Sequence, residues 1–351
     1  MFNLFHKKNV AFGLDVSTSS IKIMLLDKAG LGVKVKGFSE IALPKGLILA
    51  DGISDKKMFS HLFKQAMYKT QFGKIDTSYA VVSLPESKSF VRVIQIPVMS
   101  DKEAESAVPF EAESFIPMPI DQVYLDWQKL SVVGDKMNIL IIASPKEFVD
   151  KFLSALDELA IKPVALEVES QSCHRSVVGE SSTDTVLIAD INSMRTSLIM
   201  VEDGKLQFTS SVPVAGSQFT ESIARTLGVS STKAEDIKRK VGLKNTPDYP
   251  NVKLALLPVL NNLSAEIRTI LKFHNEHSDR KVGRIILTGG SAKLANLPES
   301  LAQDFADFPE LKVELANPWA NLSGLKEPPI NSIEALGFTT AIGLSMRGVE
   351  N

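Results

Sequence analysis

Phe12-Gly13-Leu14-Asp15-Val16-Ser17-Thr18-Ser19-Ser20-Ile21-Lys22-Ile23-Met24-Leu25-Leu26-Asp27 reads as a strand, a tight polar turn and a second strand. Branched apolar residues flank a cluster of small hydroxyl residues with an aspartate at its edge. Such a turn presents backbone N–H groups, the hydroxyls of Ser17, Thr18 and Ser19 and the ammonium of Lys22 to one anion, while Asp15 suits hydrated Mg²⁺. The plain alternative is a serine-rich surface hairpin.

The pattern recurs from Asp184 to Met200, where an apolar strand runs into Asp190-Ile191-Asn192-Ser193-Met194-Arg195-Thr196 and a second apolar strand follows. An internal repeat of this unit implies two lobes of similar fold facing across a cleft. A third turn, Thr288-Gly289-Gly290-Ser291, ends the apolar run from Arg284. Its glycines admit a ligand or a backbone at close range, although many strand-to-helix turns share them. The first two turns are expected to clamp the β- and γ-phosphates of a nucleotide, with Mg²⁺ between Asp15 and Asp190, possibly through water, and the third to leave room for the base and sugar. Thr196 and Gly216 belong to the second lobe's share of that clamp. Glu235 and Lys238, three apart on one helix face, are expected to meet the ribose or adenine edge. The simpler role for Glu235 is to close a capping box with Thr232.

Composition bounds the rest. In 351 residues, 39 basic against 41 acidic side chains leave a formal charge of −2, which gives no reason to expect a nucleic-acid-binding surface. With 44% hydrophobic residues there is material for more than one core. The single cysteine, Cys173, excludes an internal disulfide and reads as a small buried hydrophobe. Met1–Asn9 is short and carries its charges after its apolar residues, unlike a signal peptide, and a frayed end is expected there. No run approaches the ~20 apolar residues of a membrane span, so a cytoplasmic location is expected.

Between the repeats, a strand is expected over Lys34–Leu43, a helix over Ser54–Phe72 and a strand over Ser78–Pro85. Residues 89–162 then form an inserted unit. A strand over Phe90–Pro97 leads to the capping box Ser100-Asp101-Lys102-Glu103 and a helix that Pro109 interrupts, followed by two strands and a helix over Ser144–Leu159. Glu111 and Glu113 diverge on that helix and read as a solvated face. A connecting helix is expected over Val164–Val178, a long helix over Pro258–His277 and a small-residue helix over Ile333–Met346. His274 and His277 lack a nearby third ligand for a metal.

The order and spacing of these turns resemble the actin, sugar-kinase and heat-shock-chaperone ATPase superfamily, and an insertion near 89–162 resembles its FtsA branch. Gly13-Leu14-Asp15, Ser19-Ser20-Ile21-Lys22, Ile96-Pro97, Glu111-Ala112-Glu113, Ile116-Pro117 and Ala234-Glu235-Asp236-Ile237-Lys238 are similar to the PilM family of type IV pilus assembly and related type II secretion systems. The resemblance implies an α/β, two-lobed actin-like fold of duplicated ribonuclease-H-like type. Residues 1–88, 163–183 and 331–351 would form the first lobe, 89–162 its inserted α+β subdomain, and 184–330 the second lobe, with 228–280 as its helical part.

Further implications are ATP with Mg²⁺ between the lobes and binding of the N-terminal cytoplasmic peptide of a PilN-like membrane protein beside the inserted subdomain. Through that partner the chain would connect to PilO and the motor ATPases at the inner membrane, with homodimerisation an open possibility. Two departures weaken the second lobe: Asn192 stands where the family has Gly, and Ala215 precedes Gly216 where a Gly pair is common. No residue is identified as a general base; Gln218, Glu111 and Glu169 qualify by type only. Slow or absent hydrolysis is therefore expected, against the alternatives of an active ATPase or small-molecule kinase and of an FtsA-like filament protein of cell division.

Overall fold

The computed structural model describes residues 10–49, 52–179, 181–325 and 327–350, so Met1–Asn9 lies outside them. Phe12–Val16 and Ser20–Ala29 pair antiparallel, with Asp15 opposite Lys22, and Ser20–Ala29 pairs in turn with Gly32–Ala42. Tyr79–Leu84 lies parallel to Phe12–Val16 on its other side, and Lys162–Val168 lies parallel to Tyr79–Leu84. Parallel pairing needs a crossover, and the helix Lys56–Tyr68 supplies the first. Its side chains Phe59, Phe63 and Ala66 pack with Phe12, Leu14, Ile21, Ile23 and Val82 in one buried cluster.

The chain divides into two compact units, the first comprising Met1–Ser176, Trp319–Pro329 and Thr340–Asn351, the second Val177–Pro318 and Ile330–Thr339. The second repeats the first unit's topology. Thr185–Ile191, Thr196–Glu202 and Lys205–Val212 form an antiparallel triplet, and Arg284–Thr288 and Lys312–Leu315 follow in parallel beside Thr185–Ile191. Asp190 thus occupies the position in its strand that Asp15 occupies in the first.

The insertion builds its own core within the first unit. Lys136–Pro145 pairs antiparallel with both Phe90–Pro97 and Val123–Val133. Ala104, Val108 and Ala112 of the helix Asp101–Ala112 pack on Ile94, Ile96, Ile139 and Ile141 of that sheet. Ser100 and Glu103 form the expected reciprocal capping box.

Several elements differ from their sequence expectation. The helix opened at Ser100 runs through Pro109 to Ala112. The carbonyl that Pro109 leaves without a donor belongs to exposed Glu105, where water can take it. For the same reason the long helix starts at Val252 and carries Pro258 inside it, above exposed Leu254. The helix expected over Ser54–Phe72 stops at Tyr68, and Phe72 instead joins a short strand, stacking on Phe38 at 6.0 Å between ring centroids. Val164–Val178 is not one helix. Its first half belongs to the strand Lys162–Val168, whose edge position tolerates Pro163, and the helix spans Glu169–Val177.

The helix expected over Ile333–Met346 breaks into Ser332–Ala335, a tight turn at Leu336–Phe338 and Thr339–Glu350. The Leu336 carbonyl accepts the Gly289 N–H and the Thr339 hydroxyl, both at 3.0 Å, and so is drawn out of the helical ladder. Gly343 sits where any Cβ would lie 1.8 Å from the Ser172 carbonyl oxygen, which explains a glycine in mid-helix. No described helix is long and apolar enough to cross a membrane.

Candidate nucleotide site: two half-sites

In the first unit the turn after Asp15 is capped from within. Ser17 Oγ accepts the N–H groups of Ser19 (3.3 Å) and Ser20 (3.1 Å), and the Ser17 N–H donates to the Ser20 carbonyl at 2.9 Å. An anion bound here would take those N–H groups in exchange for the Ser17 hydroxyl. Thr18 is exposed at the tip. Below it Asp15, Lys22 and Glu40 lie side by side on three neighbouring strands, with Lys22 Nζ 4.0 Å from Glu40 Oε1. Ser83 Oγ donates to Asp15 Oδ1 at 3.1 Å. Burial pushes the Asp15 carboxyl above its ordinary range, against the opposing pull of Lys22 and Ser83.

The second unit's turn is held from outside. Asn192 donates its N–H to the Arg195 carbonyl at 3.0 Å, and its own carbonyl accepts the Gly216 N–H (2.9 Å) and the Ser291 hydroxyl (3.3 Å). Its amide Nδ2 donates to Asp190 Oδ2 at 2.8 Å. The Ser217 N–H likewise donates to the Ser193 carbonyl, so the first amides of the helix Gly216–Leu227 bind this turn. Thr196 is fully buried and donates its hydroxyl to the Val214 carbonyl at 2.6 Å.

Neither family departure strains the backbone. Among the described residues the non-glycine positive φ angles belong to Ala160, Asp203 and Asn296, so Asn192 needs no left-handed conformation. Ala215 is extended (φ −156°).

The third turn is close-packed at its first glycine and open at its second. Gly289 has φ +87°, and a Cβ there would meet Asp190 Oδ1 at 2.5 Å, so only glycine suits. A Cβ on exposed Gly290 would meet nothing within 4 Å, so the second glycine of the turn faces open space.

Glu235 and Lys238 turn inward to brace the second turn. Lys238 Nζ donates to the Gly216 carbonyl (3.0 Å) and Thr220 Oγ1 (2.9 Å) and pairs with Glu235 Oε2 at 2.7 Å. Thr220 Oγ1 donates to Glu235 Oε2 at 2.5 Å, and Arg239 Nε donates to Glu235 Oε1 at 2.9 Å. Burial raises the Glu235 carboxyl, but hydrogen bonds from Lys238 and Thr220 outweigh it and hold the group at about 2. Burial also draws Lys238 below its ordinary range. The capping box expected from Thr232 is absent: Ser230 caps this helix through the Lys233 N–H.

The groups suited by type to orient water are committed or remote. Gln218 Nε2 donates to the Pro213 carbonyl at 2.8 Å, Glu169 Oε2 accepts the Glu86 N–H at 3.1 Å, and Glu111 is exposed on the inserted helix. No described group of three or more His, Cys, Asp or Glu side chains forms a metal cage.

Comparison with known proteins places this architecture. A family model described as type IV pilus assembly protein PilM matches residues 13–349. A solved PilM–PilN type IV pilus biogenesis complex contains a chain 28% identical, with a TM-score of 0.81 over 98% of this chain and 100% of that one. The cell division protein FtsA of Streptococcus pneumoniae is 23% identical over 96% of this chain and 82% of its own length. MreB5 of Spiroplasma citri bound to AMPPNP, 14% identical over 95% of this chain and 94% of that one, shares the fold with a TM-score of 0.54. The fold is actin-like, duplicated across the two units.

Proposed function

Because the chain belongs to the type IV pilus assembly protein PilM family, we propose that it is an ATP-binding adaptor of an inner-membrane pilus or type II secretion assembly platform, engaging the N-terminal peptide of a PilN-like protein. The likeness to a chain of a PilM–PilN complex over its whole length carries the partner assignment. PilO and the motor ATPases would be reached through that partner, which also holds the protein at the membrane. The repeated strand-Asp-turn-strand unit supports nucleotide binding, with Asp15, Ser17, Thr18, Ser19 and Lys22 as the first unit's share and Asp190, Asn192, Gly216, Gly289, Gly290 and Ser291 as the second's, where buried Thr196 and the Glu235–Lys238 pair would act by bracing the turn. Mg²⁺ would neutralise phosphate charge from between Asp15 and Asp190.

ATP is read as held rather than split because no described residue is identified by its surroundings as the group that would orient an attacking water. Binding at 100-fold excess over Kd stabilises a fold by about 2.7 kcal/mol, so Mg-ATP raises the melting temperature by several degrees. Asp15→Ala abolishes that rise; an unchanged response removes the nucleotide assignment. Native mass spectrometry of the purified protein, followed by a turnover assay, separates retained from hydrolysed nucleotide. A PilN-like N-terminal peptide bearing a photo-crosslinker should mark residues within or beside 89–162, and labelling confined to the second unit contradicts the docking assignment.

A further inference from the structure

We propose that Glu86 is a positioning residue that ties the entry of the inserted unit to the Asp15 half-site, so that nucleotide bound at the hairpin is sensed by the insertion. The inference rests on the nucleotide reading above, but it stands on contacts within the first unit. Glu86 is a buried carboxylate, 5% exposed, on the short turn that leads into the insertion. Its Oε2 accepts the Ser170 N–H at 3.2 Å, and Glu169 Oε2 accepts the Glu86 N–H at 3.1 Å. Each glutamate therefore satisfies a backbone donor next to the other, a reciprocal latch between the turn and the first residues of the helix Glu169–Val177.

The latch lies in the middle of a short chain segment that makes polar contacts at both ends. Upstream, Ser83, 1% exposed, donates to Asp15. Downstream, Ser89 Oγ donates to the Pro85 carbonyl at 3.2 Å and meets Ser144 Oγ at 2.9 Å. Phe90 then begins the insertion's first strand, and Ser144 lies near the end of its last. Residues 83–89 thus touch the phosphate hairpin, the helix start and both ends of the inserted sheet in turn. Ser83 and Glu86 are buried and joined by only a short stretch of backbone, so a shift of the strand end at Ser83 is carried to the latch, where a half-made arrangement would strand the Glu86 carboxylate away from water. Ser170 Oγ is fully buried without a hydrogen-bond partner, so a rearranged latch has one more bond to gain.

Hydrogen exchange on the full chain, with and without Mg-ATP, tests this. In the wild type, nucleotide should slow exchange in 13–22 and also in 86–97. Glu86→Ala should keep the slowing at 13–22 within twofold and lose it at 86–97, and Glu86→Gln, which retains an acceptor oxygen, should restore it. Equal slowing at 86–97 in Glu86→Ala reduces the latch to a helix cap and overturns the proposal. If Glu86→Ala does not fold, Ser89→Ala carries the same comparison, because it cuts the downstream link and leaves Glu86 intact. Absence of slowing at 13–22 in the wild type sinks the nucleotide reading instead. The latch is then judged in the free protein, where Glu86→Ala should speed exchange at Ser170 and 90–97 at least tenfold relative to 123–133; no such difference overturns it.

Discussion

The two hairpins share a topology and solve the same problem in different ways. In the first unit Ser17 takes the turn's own N–H groups and the Ser19 carbonyl reaches outside, to the Leu43 N–H, while in the second the Asn192 carbonyl holds both the Gly216 N–H and the Ser291 hydroxyl from distant parts of the chain. The aspartates differ correspondingly: Asp15 faces Lys22, Glu40 and Ser83, whereas Asp190 is bound by the neighbouring Asn192 amide and packed against Gly289. A duplicated backbone fixes where the carboxylates stand, and the surroundings decide how each is used.

The largest contrast concerns close packing. A Cβ on Gly13 would lie 2.2 Å from the Ala341 carbonyl oxygen and 2.7 Å from the Ser345 nitrogen, both backbone atoms. A Cβ on Gly216 would lie 2.2 Å from Ser291 Oγ, the movable tip of a side chain. Gly13→Ala should therefore cost about 3 kcal/mol in urea unfolding and Gly216→Ala about 1 kcal/mol. Equal losses would break the distinction between a backbone-lined and a side-chain-lined contact.

Asn192→Ala removes a hydrogen bond to a buried carboxylate and should cost about 2 kcal/mol, read from the same unfolding curves. The pH dependence sharpens the contrast between the units. Glu235 is held at about 2 against an ordinary 4.5, so its contribution is present above pH 4.5 and is lost as pH falls toward 2. Glu235 is partly exposed, and after solvent screening Glu235→Gln should cost about 1–2 kcal/mol at pH 7 and nothing near pH 2. Asp15 has the opposite sign. Its raised carboxyl costs stability when ionised and regains it as acid protonates the folded state, so Asp15→Asn should stabilise the protein at pH 7 and lose that advantage in acid. Thermal unfolding across pH 2–7 checks both. Ser17→Ala, which removes only a local cap, should cost about 0.5 kcal/mol in thermal unfolding.

Local rules carried far in this sequence. Period-two alternation and hydroxyl-rich turns located both hairpins, and the Ser100–Glu103 spacing located a real capping box. The readings that failed did so where partners came from elsewhere. Proline reads as an interruption at Pro109 and as a helix start at Pro258, yet exposure of the orphaned carbonyls makes both tolerable inside a helix. Thr232 and Glu235 have capping-box spacing, but Glu235 is claimed by Thr220, Lys238 and Arg239. The break at Leu336 has no local signal, since its cause is the Gly289 N–H 47 residues away.

The sequence by itself determined the repeat, the family and the two polar hairpin turns, because alternation, turn chemistry and spacing are properties of neighbours along the chain. Only the tertiary structure decided that Lys238 braces Gly216, that the Asn192 carbonyl takes the Gly216 N–H and that Glu86 accepts the Ser170 N–H while Glu169 accepts the Glu86 N–H. Those roles depend on which buried donor and acceptor lack a local partner, and that is fixed when distant segments pack.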